Sequence, residues 1–183
     1  ELRVKPGAAS LAMQLIILTA TRTSEVIGAK WSEFDLATNL WVIPKDRMKG
    51  FREHRVPLSP QAVSVLNQIK WDNKVSDYVF PNAKSEKPIS NMACLAVLKR
   101  MGRSDLTVHG FRSTFRDWSA ETTAYPRDVC EMALAHAIED KSEAAYRRGD
   151  LLEKRRALMQ AWADHCDRVV EGRTVVAFKG NGA

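Results

Sequence analysis

The segment "TVHGFRSTFRDWSAE", residues 107–121, combines residue types that can bind and process a phosphate with an aromatic stripe. At helical spacing the two phenylalanines and the tryptophan fall on one face, whereas His109, Arg112 and Arg116 recur at i, i+3 and i+7 on the opposite one. The aromatic face indicates packing against a core. The basic face fits either a solvated surface or a phosphate-binding stripe, so other parts of the chain must decide.

Two further segments carry residues of the same kind, "LTATRTSEVIGAKW" before this helix and "ALAHAIEDKSEAAYRR" after it. Together the three resemble the catalytic domain of tyrosine recombinases, and most closely the integrases of temperate phages and genomic islands (the P4-like group). The resemblance covers residues 8 to about 170. The family's catalytic positions all have counterparts here, in the family's order: Arg22 in "ATRTSE", Lys49 in "RMKG", His109 and Arg112 in "HGFR", His136 in "LAH" and Tyr146 in "AAYRR".

The roles that the resemblance implies agree with the chemistry of these side chains. Attack on a phosphodiester builds negative charge on the non-bridging oxygens, which suits the guanidiniums of Arg22 and Arg112. Tyr146 would be the nucleophile, and it needs a base or a positive field because only about one phenol in a thousand is ionised near pH 7. His109 can accept or return that proton, and His136 would donate a hydrogen bond to the phosphate. Taken alone, Arg22 would be an ordinary helical ion-pair partner of the residue three positions on.

Lys49 is expected at the tip of a hairpin, where its ammonium could protonate the departing 5′ oxygen. Lys45 and Arg47 are competing candidates, and the "RMK" context of the family favours Lys49. Arg55 departs from the family pattern, because it stands where an apolar residue is common.

The elements that must position these residues are mostly helical. The patterns predict helices over 8–21, 59–70 (Ser59 as N-cap, Pro60 first), 90–102, 107–121 and 126–136, and a long helix from an Asp150 cap to about Glu171. They predict a turn over 31–36, strands at 39–44 and 53–59 joined by a long charged tip, and a third short strand at 77–81. The predicted fold class is therefore mainly α with a small antiparallel β-sheet (α+β), the tyrosine recombinase catalytic-domain fold.

Length and composition predict one domain, residues 1–172, followed by a tail, residues 173–183. The β-prone stretch 175–178 of the tail could pair with a neighbouring subunit or stay with its own domain. Because the chain starts at Glu1 and not Met, we expect a piece of a longer protein, with a core-binding domain upstream.

The overall composition favours an anionic partner and gives no sign of a cofactor. The net charge is +6 and the sequence pI about 9.4, as is common in nucleic-acid-binding domains. The three cysteines form neither a CxxC pair nor an even set, which fits a reducing cytoplasm. The histidines lack metal-ligand spacing, no phosphate-binding glycine loop occurs, and the longest apolar run is too short for a bilayer, so we expect no metal, ATP or membrane.

These features predict a site-specific DNA recombinase that integrates and excises a mobile element through a 3′-phosphotyrosine at Tyr146, leaving a free 5′ hydroxyl. The resemblance implies double-stranded attachment sites as partners and a homotetramer on two duplexes. A type IB topoisomerase and a non-catalytic basic DNA-binding protein are the alternatives. The attachment-site sequence, the direction of recombination, the oligomeric state without DNA and any DNA-bending accessory proteins stay open.

Overall fold

Helix α1, Ala8–Thr19, lies at the centre of the fold because its side chains are buried on nearly every side. It packs against α3, α4 and α7, as a helix that is apolar all round must. The computed structural model describes residues 1–72, 76–82, 85–136 and 149–168. The helices are α1, Ala8–Thr19; α2, Thr23–Ile27; α3, Pro60–Asp72; α4, Asn91–Arg100; α5, Gly110–Thr122; α6, Arg127–Ala133; α7, Leu152–Asp167; and short 3-10 turns at Leu2–Val4, Trp31–Glu33 and Lys45–Arg47.

The predicted antiparallel sheet is confirmed, but its third strand is not the predicted one. Strands β1 (Phe34–Asp35), β2 (Leu40–Ile43) and β3 (His54–Pro57) pair in the order β1-β2-β3. The prediction of a strand at 77–81 was wrong, since this segment makes only isolated bridges. Its Val79 and Phe80 are fully buried and form part of the hydrophobic core. The region predicted as a turn, 31–36, supplies β1 instead.

The helix ends differ from the predicted ones by a few residues. Ser59 Oγ accepts the backbone N–H of Ala62 at 3.2 Å, which confirms the predicted cap of α3. Helix α6 ends at Ala133, three residues earlier than predicted. Helix α7 ends at Asp167, not at Glu171. The predicted Asp150 cap was wrong by one residue, because the N-cap is Leu151; Asp150 precedes it, and its Oδ1 accepts the N–H of Leu152 at 3.2 Å.

An aromatic cluster fixes α5 against α7 and so determines which face of α5 points inward. Phe115 is fully buried and meets the ring of Trp162 edge-on, with centroids 5.4 Å apart, and Trp118 packs on the same indole at 5.0 Å. Trp162 Nε1 donates to the carbonyl of Ile17 at 2.7 Å, which ties α7 to α1. The predicted aromatic face of α5 is thereby confirmed.

Two predictions concern segments that lie outside the described residues: the tail, 173–183, and the segment carrying Tyr146. Within the part of the chain that is described, no helix is both long and apolar enough to cross a membrane.

Candidate active site

Arg22 sits where α1 ends and α2 begins. Helix α1 stops because Ala20 adopts the left-handed conformation (φ 51°), and Arg22 then takes the N-cap position of α2. Glu25 holds it from both sides: Oε2 accepts the Arg22 backbone N–H and Oε1 accepts from the guanidinium, each at 2.8 Å. Glu25 is only 2% exposed and Arg22 is 28% exposed. A buried carboxylate therefore orients a guanidinium that is still open to solvent.

Arg112 is buried, which corrects the prediction that it lies on a basic face opposite the aromatic stripe. It is 6% exposed and lies on the inward side of α5, whereas Arg116 is exposed. A helical position about 100° from the aromatic stripe lies at its border, where neighbouring elements can cover it. Those elements are the ends of α1 and α6.

The Arg112 guanidinium is held by two helix C-termini. Nη1 donates to the carbonyl of Ala20 and Nη2 donates to the carbonyl of Leu134 at 2.6 Å. Both residues are C-caps, where carbonyls lack helical partners and the helix dipole is negative. Burial, and next the charge of Arg22, lower the pKa of Arg112 to about 10. Arg112 is therefore still a cation at neutral pH.

His136 lies beside Arg112 at the end of α6. Its backbone N–H returns to the carbonyl of Glu131 at 3.0 Å while Ala135 is left-handed (φ 49°), the arrangement of a Schellman cap. Ring Nε2 lies 3.3 Å from Arg112 Nη2, and ring Nδ1 contacts a Glu131 carboxylate oxygen. The other Glu131 oxygen lies 3.6 Å from Nε of Arg116. The four side chains form a continuous chain, Arg116–Glu131–His136–Arg112.

His109 and Lys49 flank this centre. His109 is the N-cap of α5, one turn before Arg112; its side chain is exposed and hydrogen-bonds to no residue that the structure describes. Lys49 and Lys45 are both exposed near the hairpin tip. Arg47 is engaged, because its guanidinium contacts the Glu33 carboxylate and the carbonyl of Glu25. The choice of Lys49 over Lys45 stays a prediction, and Tyr146 lies outside the described residues.

Sequence reasoning missed His54, a histidine buried behind the arginines. It is 7% exposed and pairs with Ile43 in the β2–β3 ladder. Burial, followed by the charge of Arg155, lowers its pKa to about 3, with smaller effects of Arg112 and Arg22 in the same direction and an opposing one of the Ala133 carbonyl. A neutral imidazole can occupy this position because it adds no positive charge to those of Arg155, Arg112 and Arg22. The strand alternation contained the signal, since residue 54 shares the inward face with buried Val56.

Arg155 of α7 was also missed, and it anchors the chain just beyond the Tyr146 segment. It is 2% exposed; Nε donates to the Asp150 carbonyl at 2.7 Å and Nη2 to the Asp150 carboxylate at 2.8 Å. Nη1 donates to the carbonyl of Arg55, whose own guanidinium reaches Asp150 Oδ2 at 3.2 Å. The unusual Arg55 therefore has a polar partner. Helix periodicity alone gives no sign that a single arginine in a charged run faces inward.

Comparison with known proteins identifies the family. The model of the phage integrase family matches residues 5–150, and the chain belongs to this family. Prophage integrase IntA of Escherichia coli (strain K12) is 39% identical over 150 residues, 81% of this chain and 36% of that protein. The integrase of Enterobacteria phage P4 is 34% identical over 174 residues, 86% of this chain and 40% of that protein. The chain thus spans about two fifths of the length of these relatives.

Solved structures confirm the fold. The integrase from mycobacterium phage Brujita superposes with a TM-score of 0.67 at 19% identity, covering 93% of this chain and 57% of that one. A lambda integrase tetramer bound to a Holliday junction superposes with a TM-score of 0.55 at 16% identity, covering 75% and 43%. The predicted tyrosine recombinase catalytic-domain fold is confirmed.

Proposed function

We propose that this chain is the catalytic domain of a site-specific DNA recombinase that cleaves and rejoins DNA strands through Tyr146. The observation that carries the proposal is the junction of α1, α5 and α6. There the Arg112 guanidinium is fixed between two helix ends and lies beside His136. Arg22 follows two residues after Ala20, the C-cap of α1. The family to which the chain belongs supports the same function. Integration and excision of a mobile element would be its biological role.

The arrangement suits a pentavalent phosphate. A guanidinium carries five N–H donors. Three of those of Arg112 are directed at Ala20, Leu134 and His136. Two donors have no partner among the residues that the structure describes and would serve the non-bridging oxygens, and the partly exposed Arg22 supplies a second cation. Both charges are in place before the substrate arrives, so they require little reorganisation when the transition state forms.

The cleavage step is a transesterification. The phenolic oxygen of Tyr146 bonds to phosphorus, the bond from phosphorus to the 5′ oxygen breaks, and the 3′-phosphotyrosine keeps the energy of that bond for religation. His109, exposed at the start of α5, takes the phenolic proton. Lys49 gives a proton to the departing 5′ oxygen, and His136 donates to a non-bridging oxygen. In the reverse step the 5′ hydroxyl of a partner strand attacks phosphorus.

The partners would be double-stranded attachment sites bound by a homotetramer. The net charge of +6 supports an anionic partner, and the lambda integrase of similar fold is a tetramer on a Holliday junction. Residues 1–172 would form the catalytic domain and 173–183 a tail that docks on a neighbouring subunit. A core-binding domain upstream would complete the grip on DNA. The reaction would take place in the bacterial cytoplasm.

Trapping the covalent intermediate tests this function. Full-length protein is incubated with nicked DNA from the boundary of its own genetic element, in the presence of a chelator, and the mixture is resolved under denaturing conditions. We expect a protein–DNA adduct with the wild type and with Tyr125→Phe, a tyrosine that is half-buried outside the site. We expect none with Tyr146→Phe. An adduct that persists in Tyr146→Phe would rule out this nucleophile.

The same samples separate the alternatives. A type IB topoisomerase would also form the adduct, but it would relax supercoiled plasmids that lack an attachment site. A non-catalytic DNA-binding protein would bind with a steep salt dependence and be indifferent to Tyr146→Phe. Confirmed binding without any adduct would therefore refute the recombinase proposal.

A further inference from the structure

Glu131 lies at the centre of the active-site chain, yet the cleavage chemistry assigns it no part. It is on α6, five residues before His136, and the Schellman turn brings the His136 ring back over its carboxylate. The side chains of Glu131 and His136 are 26% and 37% exposed, so water competes with their contact only in part. The pair is therefore built by the local fold and does not depend on a distant element.

The contacts of the ring define its protonation. A carboxylate can only accept, so Nδ1 of His136 must donate to Glu131. A guanidinium can only donate, so Nε2, 3.3 Å from Arg112 Nη2, must accept. Which imidazole nitrogen carries the proton is set by the hydrogen bond that the other one makes. Glu131 thus selects the tautomer that leaves Nε2 facing Arg112.

The second oxygen of Glu131 is held as well. Nε of Arg116 lies 3.6 Å from Oε1, and Arg116 stands one turn after Arg112 on α5. The carboxylate is therefore placed between a cation and a histidine. When Nε2 takes up a second proton, His136 can donate to a phosphate oxygen while Nδ1 stays hydrogen-bonded to Glu131.

We propose that Glu131 is a positioning residue for strand cleavage: it keeps Nδ1 of His136 as the donor to its carboxylate and orients the ring, so that Nε2 faces the scissile phosphate and donates to it once the ring carries a second proton. This inference rests on the proposed function for the role of His136. The hydrogen bond to Glu131 itself belongs to the DNA-free protein and can be measured there. The two parts can therefore fail separately.

The first test is the tautomer. Nitrogen NMR of the His136 ring in DNA-free protein should show the proton on Nδ1 in the wild type. Glu131→Gln should keep it there, because an amide oxygen accepts the same bond, and Glu131→Ala should lose the preference. Glu153→Ala is the matched control, since Glu153 pairs with Arg156 at 3.6 Å on the solvent-facing side of α7. An unchanged tautomer in Glu131→Ala overturns the proposal whether or not the protein recombines DNA.

The second test is a double-mutant cycle on the rate of adduct formation with saturating nicked DNA. Glu131→Ala should slow cleavage about tenfold in an otherwise wild-type protein and by less than about twofold in a His136→Ala background. Glu131→Gln should recover most of the lost rate. An equal loss in both backgrounds would show that Glu131 acts on stability alone and would overturn the proposal. A His136→Ala protein that cleaves at the wild-type rate would instead remove the assigned role of His136.

Discussion

The buried histidine behind the arginines predicts an acid-sensitive fold. His54 is 7% exposed and its pKa is lowered to about 3, first by burial and then by Arg155, with Arg112 and Arg22 adding to the effect. In the unfolded chain the same imidazole has a pKa of about 6.5. Between these two values the unfolded state binds more protons, so the free energy of unfolding falls as the pH drops below about 6.5.

The magnitude follows from the two pKa values. At pH 5 about thirty unfolded chains carry a protonated imidazole for each one that carries a neutral imidazole, whereas the folded protein keeps it almost wholly neutral. The free energy of unfolding is therefore about 2 kcal/mol lower at pH 5 than at pH 7.5. The loss is about the same for any folded-state pKa of about 4 or below. Only below pH 4, near the folded-state value, would the contribution level off.

Urea unfolding from pH 7.5 to 5.0, followed by both tryptophan fluorescence and circular dichroism, measures this loss. The measurements stop at pH 5.0 because carboxylates also titrate below this pH. We expect His54→Gln, which cannot titrate, to lack about 2 kcal/mol of the wild-type pH dependence. His165→Gln, at an exposed histidine that stacks on Trp162, should retain it. If the free energy of unfolding depended on pH in the same way in the wild type and in His54→Gln, His54 would not be held neutral in the folded protein.

Three further outcomes can be checked by stability and thiol measurements. Ala135 is left-handed (φ 49°), a conformation that glycine adopts without strain, so Ala135→Gly should raise Tm by about 2 °C. A lower Tm would show that Ala135 is not strained. Arg155→Met removes the buried guanidinium from two carbonyls and from Asp150, which keeps only the more exposed Arg55, and should cost about 3 kcal/mol in urea unfolding, whereas a neutral effect would mean that packing alone holds α7. Burial raises the pKa of Cys94 to about 11 and that of Cys166 to about 12, so both thiols should react with a disulfide reagent only after unfolding; rapid reaction in native protein would contradict this.

Local patterns in the sequence predicted the elements, because helix periodicity, caps and strand alternation depend on near neighbours. Ser59 and Pro60 specified the start of α3, and the charged connection after Ile43 predicted the hairpin. The strand predicted at 77–81 failed because an apolar segment next to prolines can fill a core without entering a ladder. The region 31–36 lacked any strand alternation, so its short pairing with β2 had no signal.

The sequence was enough to name the candidate residues, whose catalytic roles stay predictions, but not to predict the contacts that hold them. Arg112 reaches the carbonyl of Ala20, 92 positions away, and Arg155 reaches that of Arg55, 100 positions away. No local pattern encodes such pairs, so a buried arginine and a solvated one can have the same spacing. The ion pair of Arg22 with Glu25 could be predicted because the two residues lie one helical turn apart. The neutral state of His54 could not, because it depends on how the sheet packs against the arginines.

The way in which the cations are held also explains why the site contains strained backbone. Ala20, Ala135 and Leu151 are left-handed without being glycine, and each lies at an end of α1, α6 or α7. Such residues cost about 1 kcal/mol or more each. The turn at Ala20 directs its carbonyl at Arg112, and the one at Ala135 brings His136 back over Glu131. Among the residues that the structure describes, Arg112 has no ion-paired carboxylate, and the partial charges of helix ends stabilise its buried guanidinium instead; under the proposed function its net positive charge would then be left for the phosphate.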